Sequence, residues 1–275
     1  MTRILDGIDV VTLAPNLPGP LAAHRLHRLG ARVTKVESPA GDPLAGVAPH
    51  WYAELVAGQD IVVLDLKDSD SRVRLDGMLD SADLLVTAMR PSAAQRLGLD
   101  QVTATFPRLG HVEIVGYDGE LEEIAGHDLN YQAAYGTLTP PSMPTVPVAD
   151  LLGAERAVSA AVLLLLERTA TGRGGRRRVV LDHAASDAGA AVRHGLMGTG
   201  APLGGALPSY RIYRAADGYV ALGALEPHFA TRLAEVLGDE LTHEGLERFF
   251  GTHTVDDCEQ LAVKADIPLT RIVAA

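Results

Sequence analysis

The sequence is poor in cysteine, in aromatic residues and in positive charge, and it has no long hydrophobic run. Its single cysteine, Cys258, rules out an intrachain disulfide and suits a reducing compartment. Aromatics make up 4% of a chain that is 47% hydrophobic, so its core has to be aliphatic, built from Leu, Val and Ala. The formal net charge of −11 over 275 residues argues against a general nucleic-acid binder, which needs a basic face. A few local Arg or Lys still suffice to hold a phosphate-bearing small ligand. The longest apolar run, around residues 160–166, is too short to span a bilayer and is flanked by Arg156, Glu167 and Arg168. Met1-Thr2-Arg3-Ile4-Leu5-Asp6 lacks the apolar stretch of a signal peptide. The expectation is a cytoplasmic protein with no nucleic-acid and no membrane partner.

Common cofactor signatures are missing as well. Ala14-Pro15-Asn16-Leu17-Pro18-Gly19-Pro20 follows the first strand pattern where a nicotinamide or flavin site would carry G-x-G-x-x-G. There is no P-loop, and Gly198-Thr199-Gly200 has no strand-turn-helix context. His24 and His27 are three apart, but with no third ligand nearby they read as surface histidines rather than a metal site. No metal and no nicotinamide are expected.

What is present is alternation. Short β-branched runs at 8–13, 32–36, 61–66, 84–87, 112–115 and 178–181 read as strands. Helical spacing falls at 21–29, ended by Gly30, at 69–79 and, longest, at 151–168. Several strands are apolar on both faces, as in a parallel sheet covered by helices. The fold class is therefore α/β: a Rossmann-like, open, mostly parallel sheet with crossover helices, spanning 1–198. A glycine-rich stretch, 195–205, reads as a linker. Beyond it, strands at 210–213 and 219–222 and helices at 228–237 and 256–265 predict a smaller α+β domain over 206–275. The basic run 172–178 reads as a solvated connection.

Two residues stand out chemically. His127, in Gly126-His127-Asp128-Leu129-Asn130-Tyr131, and Asp150, in Val148-Ala149-Asp150-Leu151, open two successive apolar stretches. An imidazole and a carboxylate can both move protons near neutral pH once their surroundings tune them. Asp150 has a second reading as a helix N-cap, worth about 1 kcal/mol. His127 has one too, as a polar neighbour of Asp128, itself a good cap for Leu129 onward. The local sequence leaves both readings open.

An ordered series of short motifs resembles the class III CoA-transferase family, also called the L-carnitine dehydratase/bile-acid-inducible protein F family. It runs from Leu5-Asp6-Gly7-Ile8-Asp9-Val10 through Gly19-Pro20, Leu29-Gly30-Ala31, Val33-Thr34-Lys35-Val36-Glu37 and Gly41-Asp42-Pro43. It continues through Leu64-Asp65-Leu66-Lys67, Arg90-Pro91, Arg96-Leu97-Gly98-Leu99, the His127 segment and Asp217-Gly218-Tyr219-Val220-Ala221. The His127 segment and Gly223-Ala224-Leu225-Glu226-Pro227 are similar to the α-methylacyl-CoA racemase branch.

The resemblance implies an enzyme acting on an acyl-CoA, with coenzyme A held largely by the larger domain and two chains interlocked as a homodimer. It implies His127 and Asp150 as acid/base groups, Glu226 as a supporting residue, and Arg90, Arg96 and Lys67 as coenzyme A contacts. The expected activity is racemisation, or α-proton exchange, of a 2-methylacyl-CoA. The alternatives are CoA transfer between carboxylic acids through an Asp150 acyl intermediate, and a catalytically degenerate relative that binds acyl-CoA. The chain departs from the family at Gln59-Asp60, at Ala88-Met89 and at the acidic stretch Asp118-Gly119-Glu120-Leu121-Glu122-Glu123. Acid near a phosphate ligand is expected to cost affinity. The smaller domain is expected to stop short of the return to the large domain made by longer relatives.

Overall fold

The computed structural model describes residues 3–238 and 241–273. The chain divides into two compact units, Met1–Gly189 and Ala190–Ala275. In the first, six strands are all parallel: β1 Asp9–Thr12, β2 Arg32–Glu37, β3 Asp60–Val63, β4 Leu84–Ala88, β5 Gly110–Val115 and β6 Arg176–Val180. Their order, β3-β2-β1-β4-β5-β6, is that of a doubly wound Rossmann-type sheet. The α/β class expected from the alternation is the one observed. Chain direction across the sheet reverses between β1 and β4, which opens a crevice at the carboxyl ends of the strands.

Side-chain alternation along the strands builds two cores. Val10, Leu84, Val86, Val112 and Ile114 meet Leu26 of the helix Pro18–Arg28 and Ala157, Ala161 and Leu164 of the long helix Val148–Thr171. On the other face, Val11, Leu13 and Leu85 meet Leu75 and Leu79 of the helix Ser69–Ser81. The central strands β1, β2 and β4 feed both layers, as their period of two requires.

Several element boundaries differ from the sequence reading, three of them with a clear physical reason. The first helix begins at Pro18, three residues before the expected 21, because prolines in a first turn have no helical hydrogen bond to lose. Gly30, expected to end it, adopts φ 113° just after the last turn. Strand β3 ends at Val63 instead of 66: it is the sheet's edge, and beyond Leu64 the Asp65 side chain accepts from the Lys67 N–H and turns the chain away. The basic run is not only a solvated connection. Arg176–Arg178 open β6, and Arg176 (2.6 Å) and Arg178 (3.5 Å) pair with Glu113 on β5. Glu113 is 4% exposed, and a buried carboxylate needs such cations.

The second unit has a three-stranded antiparallel sheet, β7 Tyr210–Arg214, β8 Tyr219–Gly223 and β9 Leu269–Arg271, in that spatial order. Helices Pro227–Leu237, His243–Gly251 and Val255–Ala265 cover it around Tyr213, Val220, Leu222, Leu233, Phe250 and the buried Cys258. The glycine-rich stretch at 195–205 lies in this unit and folds on itself, with Leu203 N–H donating to the Leu196 carbonyl. No helix among the described residues is long and apolar enough to cross a membrane.

Candidate active site

The crevice between β1 and β4 holds a cavity of about 550 Å³. Its walls come from the strand ends: Pro15 and Asn16 after β1, Met89, Arg90 and Ser92 after β4, Gly116 after β5 and Leu181 after β6. His127, Tyr131 and Asp150 complete it. The two candidate proton carriers, 23 residues apart in sequence, therefore face one space.

His127 occupies the N-cap position of the short helix Asp128–Ala133, with an extended backbone (φ −129°, ψ 172°). Its carbonyl accepts from the Asn130 and Tyr131 N–H groups, while the Asn130 side chain accepts from the His127 N–H (3.0 Å). The imidazole is left exposed toward the cavity. The segment is pinned by Tyr131, which is buried, donates to the Gly126 carbonyl (2.7 Å) and meets Tyr117 edge to face at 5.0 Å. A side chain at 126 would lie 2.7 Å from Tyr131 Cε1 and 2.8 Å from Tyr117 Cε2, so this ring pair requires glycine there.

Asp150 is not an N-cap. It is the third residue of the long helix Val148–Thr171, whose N-cap is Pro147. The capping comes from Asp128: its Oδ1 accepts from the Ala149 N–H (2.8 Å) and the Asp150 N–H (3.1 Å). Gln132 Nε2 holds the other oxygen at 2.5 Å. Nothing in local sequence marks this pairing, because the donors sit 21 and 22 residues away. It leaves the Asp150 carboxylate unused as a cap.

Burial pushes the Asp150 pKa up from 3.8 to about 7, and the neighbouring Asp128 carboxylate adds to the rise. The helix start favours the anion by about 0.3–1 kcal/mol, whereas a tenfold change in acidity takes about 1.4 kcal/mol. Desolvation wins. Asp150 is thus poised between its two protonation states near neutral pH.

Arg90 and Arg96 line the same cavity, exposed; among the described residues neither guanidinium makes an intrachain hydrogen bond or ion pair, and both act electrostatically on the Glu123 carboxylate. Lys67 does not join them. It lines a neighbouring cavity of about 460 Å³ beside β2 and β3, which shares Pro15 and Met89 with the first. Glu226 belongs to the second unit, where it is exposed and stands at the N-cap position of the helix Pro227–Leu237. His24 and His27 are half-buried, not surface residues: their Nδ1 atoms contact the Leu55 and Ala31 carbonyls, each at 3.2 Å. Among the described residues no three His, Cys, Asp or Glu gather as a metal site.

A Rossmann-type sheet thus brings a carboxyl, an imidazole and two arginines to one cavity at its switch point, where ligands of such sheets bind. The pattern of CoA-transferase family III matches residues 5–275, and the chain belongs to that family. Human alpha-methylacyl-CoA racemase is 31% identical over 267 residues, covering 87% of this chain and 67% of that protein. The formyl-CoA:oxalate CoA-transferase of Streptomyces avermitilis is 28% identical over 201 residues, covering 67% of this chain and 49% of that enzyme. The chain thus spans from about half to two thirds of these relatives' lengths. Among solved structures, a hypothetical protein (Rv3272) from Mycobacterium tuberculosis superposes with TM-score 0.86 at 24% identity, over all of this chain and 86% of that one. That likeness establishes the fold.

Proposed function

We propose that the protein exchanges the α-proton of a 2-methylacyl-CoA thioester, with Asp150 and His127 as the proton-moving groups. The observation that carries this reading is a carboxyl with pKa about 7 sharing a cavity with an exposed imidazole. Thioester conjugation makes the α-hydrogen weakly acidic. One group removes it and the other returns a proton to the opposite face, with the roles reversed for the other enantiomer. Matching a catalytic pKa to the working pH is what such transfer requires, and each group is typically worth about 10²–10⁴-fold. Arg90 and Arg96 fit the phosphates of coenzyme A, and Lys67 extends the same sheet edge toward a second cavity.

The N–H groups at the start of the long helix are not available to stabilise an enolate oxygen. Val148 N–H donates to Val146, Ala149 and Asp150 N–H to Asp128, and Leu151 N–H to Pro147. That helix start has no donor to spare.

A second reading, CoA transfer through an acyl anhydride on Asp150, is supported by the transferase relatives. A nucleophilic carboxylate has to be ionised, and a pKa near 7 leaves about half of it protonated at neutrality. An acid/base pair uses that poise, so proton exchange is the better fit. Within the proposal, Glu226 is a supporting residue and the chain works as a cytoplasmic, interlocked homodimer. Light scattering of the purified chain tests the dimer.

The test of function is incubation with a panel of 2-methylacyl-CoAs in heavy water, with and without free carboxylic acids and hydroxylamine, read by mass spectrometry. Deuterium at the α-carbon without an adduct is the expected result. An aspartyl hydroxamate at Asp150, left when hydroxylamine cleaves an acyl anhydride and releases the free acid, would replace exchange by transfer. Binding with neither reaction would leave a non-catalytic acyl-CoA binder.

A further inference from the structure

The acidic stretch after β5, residues 118–123, carries chemistry that the proposed reaction does not use. Its carboxylates are not loose on the surface. Asp118 Oδ1 and Glu122 Oε2 each accept from Arg178 Nη1 at 2.9 Å. Glu123 reaches across to the chain after β4: its Oε1 accepts from the Ser92 N–H (2.7 Å) and its Oε2 from the Ser92 hydroxyl (2.8 Å). Glu120, in the same stretch, is exposed and has no partner among the described residues. Glu122, Ile124, Ala125 and Gly126 line the cavity from this stretch, and Arg90, Ser92 and Arg96 line it from the chain after β4. The Glu123–Ser92 bonds tie these two lining segments together at the cavity's margin.

We propose that Glu123 is an internal competitor for the anion-binding end of the cavity, gripping Ser92 beside Arg90 and Arg96 until an anionic ligand displaces it. A carboxylate with one hydrogen bond to each oxygen mimics a ligand phosphate in charge and acceptor pattern. Its pKa is lowered by the Ser92 hydroxyl first, then by the Ser92 N–H, with Arg90 and Arg96 contributing, so it stays ionised at neutral pH. A ligand with phosphates offers the same donors two or more anionic oxygens and engages both arginines. A ligand without them has nothing to exchange for the clasp. The stretch thus works as a selectivity device for the anionic handle of the substrate, four residues before His127. The identity of that handle as the coenzyme A phosphates rests on the function proposed above; the clasp itself does not.

The test is isothermal titration of the full chain with two probes, coenzyme A and inorganic pyrophosphate, in wild type, Glu123→Ala and Glu120→Ala. A clasp closed about nine-tenths of the time lowers apparent affinity about tenfold. Glu123→Ala should therefore tighten either probe by roughly fivefold or more, while Glu120→Ala, which removes the same charge without a contact, stays within about twofold of wild type. Equal tightening by both variants would reduce the effect to bulk repulsion and overturn the proposal. So would unchanged or weaker binding in Glu123→Ala, or no binding of either probe by any variant. Pyrophosphate tightening with no affinity for coenzyme A would uphold the clasp and remove the acyl-CoA reading instead.

Discussion

At Asp150 the folded chain holds a proton that the unfolded chain releases, because burial lifts the pKa from 3.8 to about 7. The contribution of Asp150 to stability therefore falls as pH rises from about 4 through 7 and is flat on either side. Asp150→Asn removes this titration while keeping the shape. The variant should unfold at higher denaturant than wild type at pH 8, by on the order of 1–4 kcal/mol, and the gain should fade toward zero by pH 4. A variant less stable than wild type at pH 8 would mean that the carboxylate is stabilised where it sits. Asp128 is the second lever. Asp128→Asn keeps an oxygen for the Ala149 and Asp150 N–H groups but removes the negative charge that raises Asp150. The pH at which exchange switches on should move downward, with little loss of thermal stability. His127 and Asp150 were legible in the sequence because both open apolar segments within recognisable motifs. The role of Asp128 was not, since its capping partners lie on another helix. Nor was the pairing of Glu123 with Ser92, whose 31-residue separation no local pattern encodes.

At the scale of elements, close approach explains what periodicity could not. Gly19, buried in the first turn of the helix Pro18–Arg28, faces the Ala14 backbone: an added Cβ would lie 2.5 Å from the Ala14 carbonyl oxygen. Backbone cannot rotate aside, so Gly19→Ala should cost about 1–3 kcal/mol and disturb the cavity wall formed by Pro15, Asn16 and Pro18. Gly77, exposed within the helix Ser69–Ser81, has nothing within 4 Å, and Gly77→Ala should stabilise by about 0.5–1 kcal/mol. Chemical denaturation of both variants reads the contrast. The strands were legible because β-branched runs in a doubly covered sheet carry a strong signal. Their ends were less so: β3 stops where its only neighbour does, and β6 starts early to bring Arg176 and Arg178 to the buried Glu113.

For the whole molecule, the second unit has a core of its own and therefore its own reporter of folding. Cys258, the only cysteine, is fully buried in the second unit, and burial raises its thiol pKa. It should resist thiol reagents in the native protein and react fully only when that unit opens, so labelling across a denaturant series isolates its stability. Fast labelling without denaturant would contradict the buried placement. The alternation of strands and helices foretold the layered first unit; the function of its crevice needed the strand order, which no sequence window contains. The account's central claim, that Asp150 and His127 exchange the α-proton of an acyl-CoA, is tested most directly by the pH profile of solvent-deuterium uptake in wild type and Asp150→Asn. The predicted result is a wild-type profile that turns near pH 7 and a loss of about 10²–10⁴-fold in the variant. Uptake by Asp150→Asn at the wild-type rate, with the same turning point, would contradict it.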